Sequence, residues 1–291
     1  MELVPTAVPQ WRVNLHGHTT KSDGRLSPQE YIDWYAQKGY DGVAVTDHNV
    51  QTTLTTIDTR GLVLLPGAEV TASGAELGGQ YHLVSVGPLP NDLPVVTTPA
   101  AHAAALLAEA GAFVIVAHPH WSGLTVADLL SVSAAHAMEI YNGGTVWDSE
   151  KGLSVAPWEE VWQRGGSLWG VATDDSHFRF PDGGLGWVMV LSEERRADAF
   201  VAALRRGAFY SSTGPRIWNI TLEGRVLRVR CSPCRGVYIL SFASRNTFRL
   251  WDGQVPLEDV EFVLKGHPEW LRVQVTDLEG RSAWSQPIRL G

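Results

Sequence analysis

Apolar positions along this chain follow two different rhythms. From residue 11 to about 210, short apolar runs alternate with stretches whose apolar residues recur three and four apart. The runs read as strands and the stretches as helices. Strands are expected at 12–15, 42–46, 62–65, 81–86, 113–117, 138–141, 168–173 and 187–191, and helices at 27–39, 99–110, 125–134, 157–164 and 193–206. The first helix has a marked start, with Ser27 as N-cap, Pro28 at the first helical position and Glu30 three residues past the cap, and Gly39 closes it. About seven such units suit a barrel related to the TIM fold better than an open parallel sheet.

After Gly214-Pro215 the rhythm shortens. Segments 217–222, 226–231, 237–241, 248–250, 260–264 and 271–276 alternate in polarity, with turn signals such as Glu223-Gly224 and Glu279-Gly280 between them. No long helix intervenes. This reads as an antiparallel β-sandwich of roughly 75 residues, small enough that it is expected to pack against the barrel. The expected division is therefore 1–212 and 213–291.

Composition narrows the class. With 44% hydrophobic and 19% charged residues, the chain can bury a core. Its apolar runs, Ala112 to Ala117 among them, are strand-sized and far short of the roughly 20 residues that cross a bilayer. The opening MELVPTAVPQW lacks a basic segment followed by an apolar one, so no signal peptide is read and a cytoplasmic location is expected. A formal charge of −8 works against broad adhesion to a nucleic-acid polymer. It leaves room for a small anion held by metals, because the cations then supply the positive field. Cys231 and Cys234 form a Cys-Ser-Pro-Cys pair, a spacing used by redox pairs and zinc sites. With no second pair and a β-rich setting, two incidental thiols is the preferred reading.

The chemistry gathers where expected strands end. The first strand runs into His16-Gly17-His18, and Asp23 follows shortly. Residues i and i+2 of a strand share a face, so both imidazoles point one way. Two neutral imidazoles with a carboxylate nearby can ligate a metal, although HxH alone can equally be a surface pair. The pattern then recurs. The second strand ends in Thr46-Asp47-His48, the third in Gly67-Ala68-Glu69, the fifth in His118-Pro119-His120, and a later one opens into Asp174-Asp175-Ser176-His177. His82 lies within the fourth. In barrels of this kind the C-terminal strand ends converge on one mouth. Six of the ten histidines sit at such ends, which a merely solvated face does not explain.

Taken in order, His-x-His-Thr-x-x-Ser-Asp-Gly, Thr-Asp-His, a later Glu, a strand His, Ala-His-Pro and Asp-x-His resemble the motifs of the polymerase and histidinol phosphatase (PHP) family. Met138-Glu139-Ile140-Tyr141-Asn142-Gly143 is similar to that family too. The stretch from Ala208 to Pro215 and the tail from Ser282 to Ile288 look nearest its carbaryl-hydrolase-like branch. The general resemblance covers roughly residues 11 to 210. It implies a distorted (βα)7 barrel holding two or three divalent ions, usually manganese, iron or zinc. By motif position it gives His16, His18, Glu69 and Asp175 to one ion, and Glu69, His82 and His118 to a second. Asp23, His48 and His177 go to a third, with Asp23 standing where some relatives have histidine.

A metal pair roughly 3.5–4 Å apart makes a bridging water acidic and clamps both oxygens of an in-line displacement. The resemblance thus implies a phosphoesterase cleaving a small phosphorylated molecule by a metal-bridging hydroxide. The same site could serve a carboxylic or carbamate ester, or a 3′/5′ nucleotide phosphatase or exonuclease; a metal-stabilised interaction module is the non-enzymatic alternative. Phosphate calls for cations beyond the metals, whereas an aryl ester calls for an apolar slot. Around the ligands, Asp47 is read as an orienting residue or a general acid, and Asp174 as structural. His120, two residues after His118, is expected to face the same cavity and to touch substrate or donate a proton. Arg179, Lys21 and Arg25 are candidate phosphate grips. Trp121 and Trp147 are nominated for stacking on a substrate ring, and His102, His136 and His267 are read as ordinary residues.

Overall fold

A computed structural model describes residues 1–242, 246–266 and 268–290, so His267 lies outside the described residues. The elements in chain order are β1 (Glu2–Val4), β2 (Gln10–Asn14), α1 (Pro28–Gln37), β3 (Gly42–Val45), β4 (Val63–Ala72), β5 (Tyr81–Val86), α2 (Ala100–Glu109) and β6 (Phe113–Val116). There follow α3 (Pro119–Ser122), α4 (Val126–Ser131), β7 (Ala137–Asn142), α5 (Gly143–Ser149), α6 (Val155–Gln163), β8 (Trp169–Thr173), β9 (Trp187–Leu191), α7 (Ala197–Arg205) and β10 (Phe209–Ser212). The remainder is all strand: β11 (Ile217–Glu223), β12 (Val226–Cys234), β13 (Gly236–Leu240), β14 (Thr247–Leu250), β15 (Leu257–Val263), β16 (Trp270–Thr276), β17 (Ser282–Ser285) and β18 (Ile288–Arg289).

Local chemistry accounts for several boundaries. Ser27 and Glu30 close a capping box ahead of Pro28, as the sequence indicates. Thr125 and Asp128 form a second one at α4.

A closed (βα)7 barrel is not found. One sheet runs β14-β13-β16-β17-β10-β9-β2-β3-β4-β5-β6-β7-β8, and β18 pairs with β16. Pairing is parallel across β2-β3-β4 and β6-β7-β8, but β5 runs antiparallel to both its neighbours. It does so because β4 returns directly into β5 as a hairpin, with no helix between them. Closure fails because β9 occupies the edge of β2 that β8 would need, pairing Gln10 with Leu191 through to Val13 with Val188. The curled ends meet just past the strands, at the isolated Gly17–Ser176 bridge and through Asp174 N, which donates to Asn14 Oδ1 at 3.1 Å.

Side chains fill in where the ladder stops. Ser211 Oγ accepts from Ala172 N (3.0 Å) and donates to Gly170 O (2.8 Å). The Gln286 amide repeats the pattern on Gly170 N and O, at 2.8 and 2.9 Å.

The C-terminal sandwich is present, and it is continuous with the rest. One face is the four-stranded sheet β1-β11-β12-β15, which recruits the N-terminal strand. The other is the β14-β13-β16-β17 end of the large sheet, attached through β17 and β10. Between them lie Ile220, Leu227, Val229, Phe262, Val237, Val273 and Val275. Cys231 and Cys234 belong to this core, free and buried, with sulfurs 3.7 Å apart. No helix among the described residues is long and apolar enough to cross a membrane.

Candidate metal centre

Six imidazoles and three carboxylates come together where β2, β3, β6 and β8 end and beside the β4–β5 hairpin. Glu69 is the hub. It does not end its strand, as the apolar run suggests, but sits inside β4, because the hairpin prolongs that strand to Ala72. One oxygen, Oε1, lies 2.9 Å from His82 Nδ1 and 3.1 Å from His118 Nε2. The other, Oε2, lies 3.0 Å from His48 Nδ1 and 3.2 Å from both His16 Nε2 and His18 Nε2. Yet Oε2 is buried and takes no aligned hydrogen bond. Three ring nitrogens crowded around one buried oxygen that bonds none of them is how donors to a shared cation stand, so the donor set fits a metal.

Three groups of potential ligand atoms result, each within 4.8 Å: His16, His18, Glu69 and Asp175; His18, Asp23, His48 and His177; and His48, Glu69 and His82. The first reproduces the expected set. The set around Asp23 gains His18 as well. The third contains His48 where His118 was expected, while His118 reaches Glu69 through Oε1. His48 faces two ways, with Nδ1 toward Glu69 and Nε2 3.7 Å from Asp23. His18 is stacked between His48 and His177, with centroids at 4.4 and 4.2 Å.

Electrostatics follow from burying two carboxylates among imidazoles. Burial would raise the Glu69 carboxyl, but His16, His118 and His18 outweigh it and hold it well below the usual range. Asp175 is likewise held low by His16 and His18 against burial. Burial would lower the histidines, yet Asp175, Glu69 and Glu139 carry His16 well above its ordinary value. The carboxylates of Asp175 and Glu69 beside it carry His18 to about 9 against burial. His48, with burial dominant, goes down. The cluster thus attracts positive charge strongly.

Backbone strain is concentrated here. His118 (φ 27°) and Asp175 (φ 52°) both lie in the left-handed region that side-chain-bearing residues seldom use. Each is held by a bond from a neighbouring element: His118 N donates to Glu139 Oε2 (2.7 Å) and Asp175 N to His16 O (3.0 Å).

The non-ligand candidates fare differently. His120 is exposed and does not line the cavity. The strand stops at Val116 and a helical turn starts at Pro119, so the i, i+2 rule that would pair His120 with His118 no longer applies. Asp47 does not enter the cavity either. It is buried and accepts from Thr19 N and Oγ1 (both 2.8 Å), Ser22 Oγ (2.8 Å) and Thr52 Oγ1, which hold it below its ordinary range despite burial. These bonds tie it to the 19–22 turn that leads to Asp23. Asp174 accepts from Tyr35 and from the amides of Gly184, Leu185 and Gly186, and burial still raises it to about 6. Arg179 lines the cavity and binds Asp23 (2.9 Å), whereas Lys21 and Arg25 do not line it. Trp121 lines it, its ring at 74° to that of His118 with centroids 4.9 Å apart, and Trp147 does not.

Some contributors escape sequence reasoning. Phe180, exposed at the rim, lines the cavity, and Asp182 caps the His177 and Phe178 amides. Glu139 and Asn142 stand behind the ligands and were visible only as part of a familiar stretch. The cavity itself holds about 210 Å³.

This is a histidine–carboxylate centre on a two-part α/β and β scaffold. No protein-family model and no curated protein matches the chain. Among solved structures, it is similar over 97% of its length to 96% of a two-domain protein containing a predicted PHP-like metal-dependent phosphoesterase from Bacteroides vulgatus, at 14% identity and a TM-score of 0.55. An amidohydrolase from Chromobacterium violaceum, with bound sulfate and no metal, matches 57% of this chain with 87% of its own, at 17% identity and a TM-score of 0.45. A proposed metal-dependent phosphoesterase from Bifidobacterium adolescentis matches 66% with 94% of its own, at 16% and 0.47. The PHP resemblance seen in the motifs therefore extends to the fold and to a His/Glu/Asp cluster that could hold metals.

Proposed function

We propose that the protein is a metal-dependent phosphoesterase acting on a small phosphorylated molecule. The observation that carries this is Glu69, whose oxygens lie among five imidazoles at the floor of a cavity edged by Arg179. In this reading His16, His18, Glu69 and Asp175 hold one divalent ion, Glu69, His82 and His118 with His48 a second, and Asp23, His48 and His177 a third. Manganese, iron or zinc each suits such donors. Bound there, the ions supply Lewis acidity toward a phosphoryl oxygen and lower the pKa of water.

The chain's own residues do the rest. Arg179, anchored by Asp23, presents a guanidinium at the rim that can hydrogen-bond a phosphoryl oxygen. Trp121 and Phe180 offer apolar surface to the group that leaves. The cavity, of about 210 Å³, suits a small phosphorylated group. We place the catalytic unit in residues 1–212 and read 213–291 as accessory.

The same two exposed aromatics support a second reading, hydrolysis of a carboxylic or carbamate ester with an aryl part. Glu69→Gln and His118→Ala should each lower turnover by at least about 100-fold while circular dichroism stays native. Undiminished activity in both would remove the proposed site.

A further inference from the structure

We propose that Glu139 is a positioning residue that fixes the tautomer of His16, and so makes His16 Nε2 available to a metal. Glu139 is 1% exposed and His16 is fully buried. Glu139 Oε1 receives His16 Nδ1 at 2.7 Å and Thr173 Oγ1 at 2.6 Å. Its Oε2 receives His118 N and Asn142 Nδ2, both at 2.7 Å. Thr173 Oγ1, His118 N and Asn142 Nδ2 all donate, so the group acts as an acceptor-only carboxylate and His16 Nδ1 must carry the hydrogen toward it. A hydrogen on His16 Nδ1 leaves a lone pair on Nε2, which lies 3.2 Å from Glu69 and 3.3 Å from Asp175. Carboxylates behind metal-bound imidazoles set tautomer and basicity in this way.

The unit reaches further. Asn142 Nδ2 also bonds Asp175 Oδ2 at 3.0 Å, and the His118 amide bond holds that residue in its strained conformation. Glu139 and Asn142 would face opposite sides of a regular strand. The β7–β8 register slips between Glu139 and Tyr141, and this irregularity brings both to one side.

The isosteric change Glu139→Gln tests the idea, because only one orientation of the new amide is tolerable. The His118 N–H cannot accept a hydrogen bond. Nor can the Asn142 amide turn over, since its Oδ1 is held by Thr145 N (2.8 Å) and Oγ1 (3.0 Å) as the cap of α5. The Gln oxygen must therefore take the Oε2 position and its NH₂ the Oε1 position. Thr173 can rotate its hydroxyl to accept. His16 can accept only by moving its hydrogen to Nε2, which then cannot ligate.

The inference rests on the first group's being a metal site. Zinc affinity, measured by chelator competition, should fall about 10–100-fold in Glu139→Gln. Thr173→Val, which removes the other bond to the same oxygen, should leave it within about 3-fold. In zinc-loaded wild type, ¹⁵N-histidine NMR should show a hydrogen-bonded Nδ1–H on His16. Wild-type affinity in Glu139→Gln, equal losses in both variants, or absence of that Nδ1–H would each overturn the inference and leave the metal reading standing. Wild type that binds no zinc would overturn the metal reading, and this one with it.

Discussion

At the scale of single residues, the site is governed by the cost of burying charge. Glu69 and Asp175 are both buried, and a buried carboxylate needs compensating positive charge. In the metal-free protein the imidazoles provide it, and His18 keeps its proton up to about pH 9. A metal needs the neutral imidazole, so binding must expel that proton. The sign follows: with His16 and His18 both raised, apparent zinc affinity should rise with pH from neutral through about 9. Calorimetry in buffers of different ionisation enthalpy should register protons released at neutral pH. Affinity and heat independent of pH and buffer would contradict the account.

At the scale of elements, what the chain revealed was the residues that cluster and most of its strands. His16 and His18 do share a face, their Nε2 atoms 3.2 Å apart. Strands at Tyr81–Val86 and Trp187–Leu191 lie where the apolar runs place them. Period-two reasoning broke wherever the backbone departed from a regular strand. It misplaced His120 across a strand-to-helix turn, passed over Glu139 beside an irregular register, and ended β4 too early because apolar content does not reveal a hairpin. The barrel failed for a non-local reason, since no run of residues near β8 records that β9 has taken the edge of β2.

That open edge makes a prediction. Ser211 Oγ is buried and satisfies both Ala172 N and Gly170 O on β8. Ser211→Ala leaves a buried donor and acceptor without that partner, and should destabilise the fold by about 1–3 kcal/mol in urea unfolding. An unchanged midpoint would show that Ser211 does not hold that edge.

At the scale of the whole molecule, the all-β region is tied to the part that carries the His/Glu/Asp cluster by backbone and side chain alike. β1 crosses over to pair with β11, β17 pairs with β10, and the buried Arg272 of β16 binds Glu159 of α6. These ties bear on stability and leave the cavity to residues of the first 182 positions. What the cavity acts on depends on two competing features, one cation at its rim and two exposed aromatics. The most direct measurement is therefore hydrolysis of an aryl phosphate beside the matching aryl carboxylate ester, by protein reconstituted with manganese. Phosphate release that vanishes with chelator and returns with manganese is the predicted result. Cleavage of the carboxylate ester alone would contradict the phosphoesterase reading.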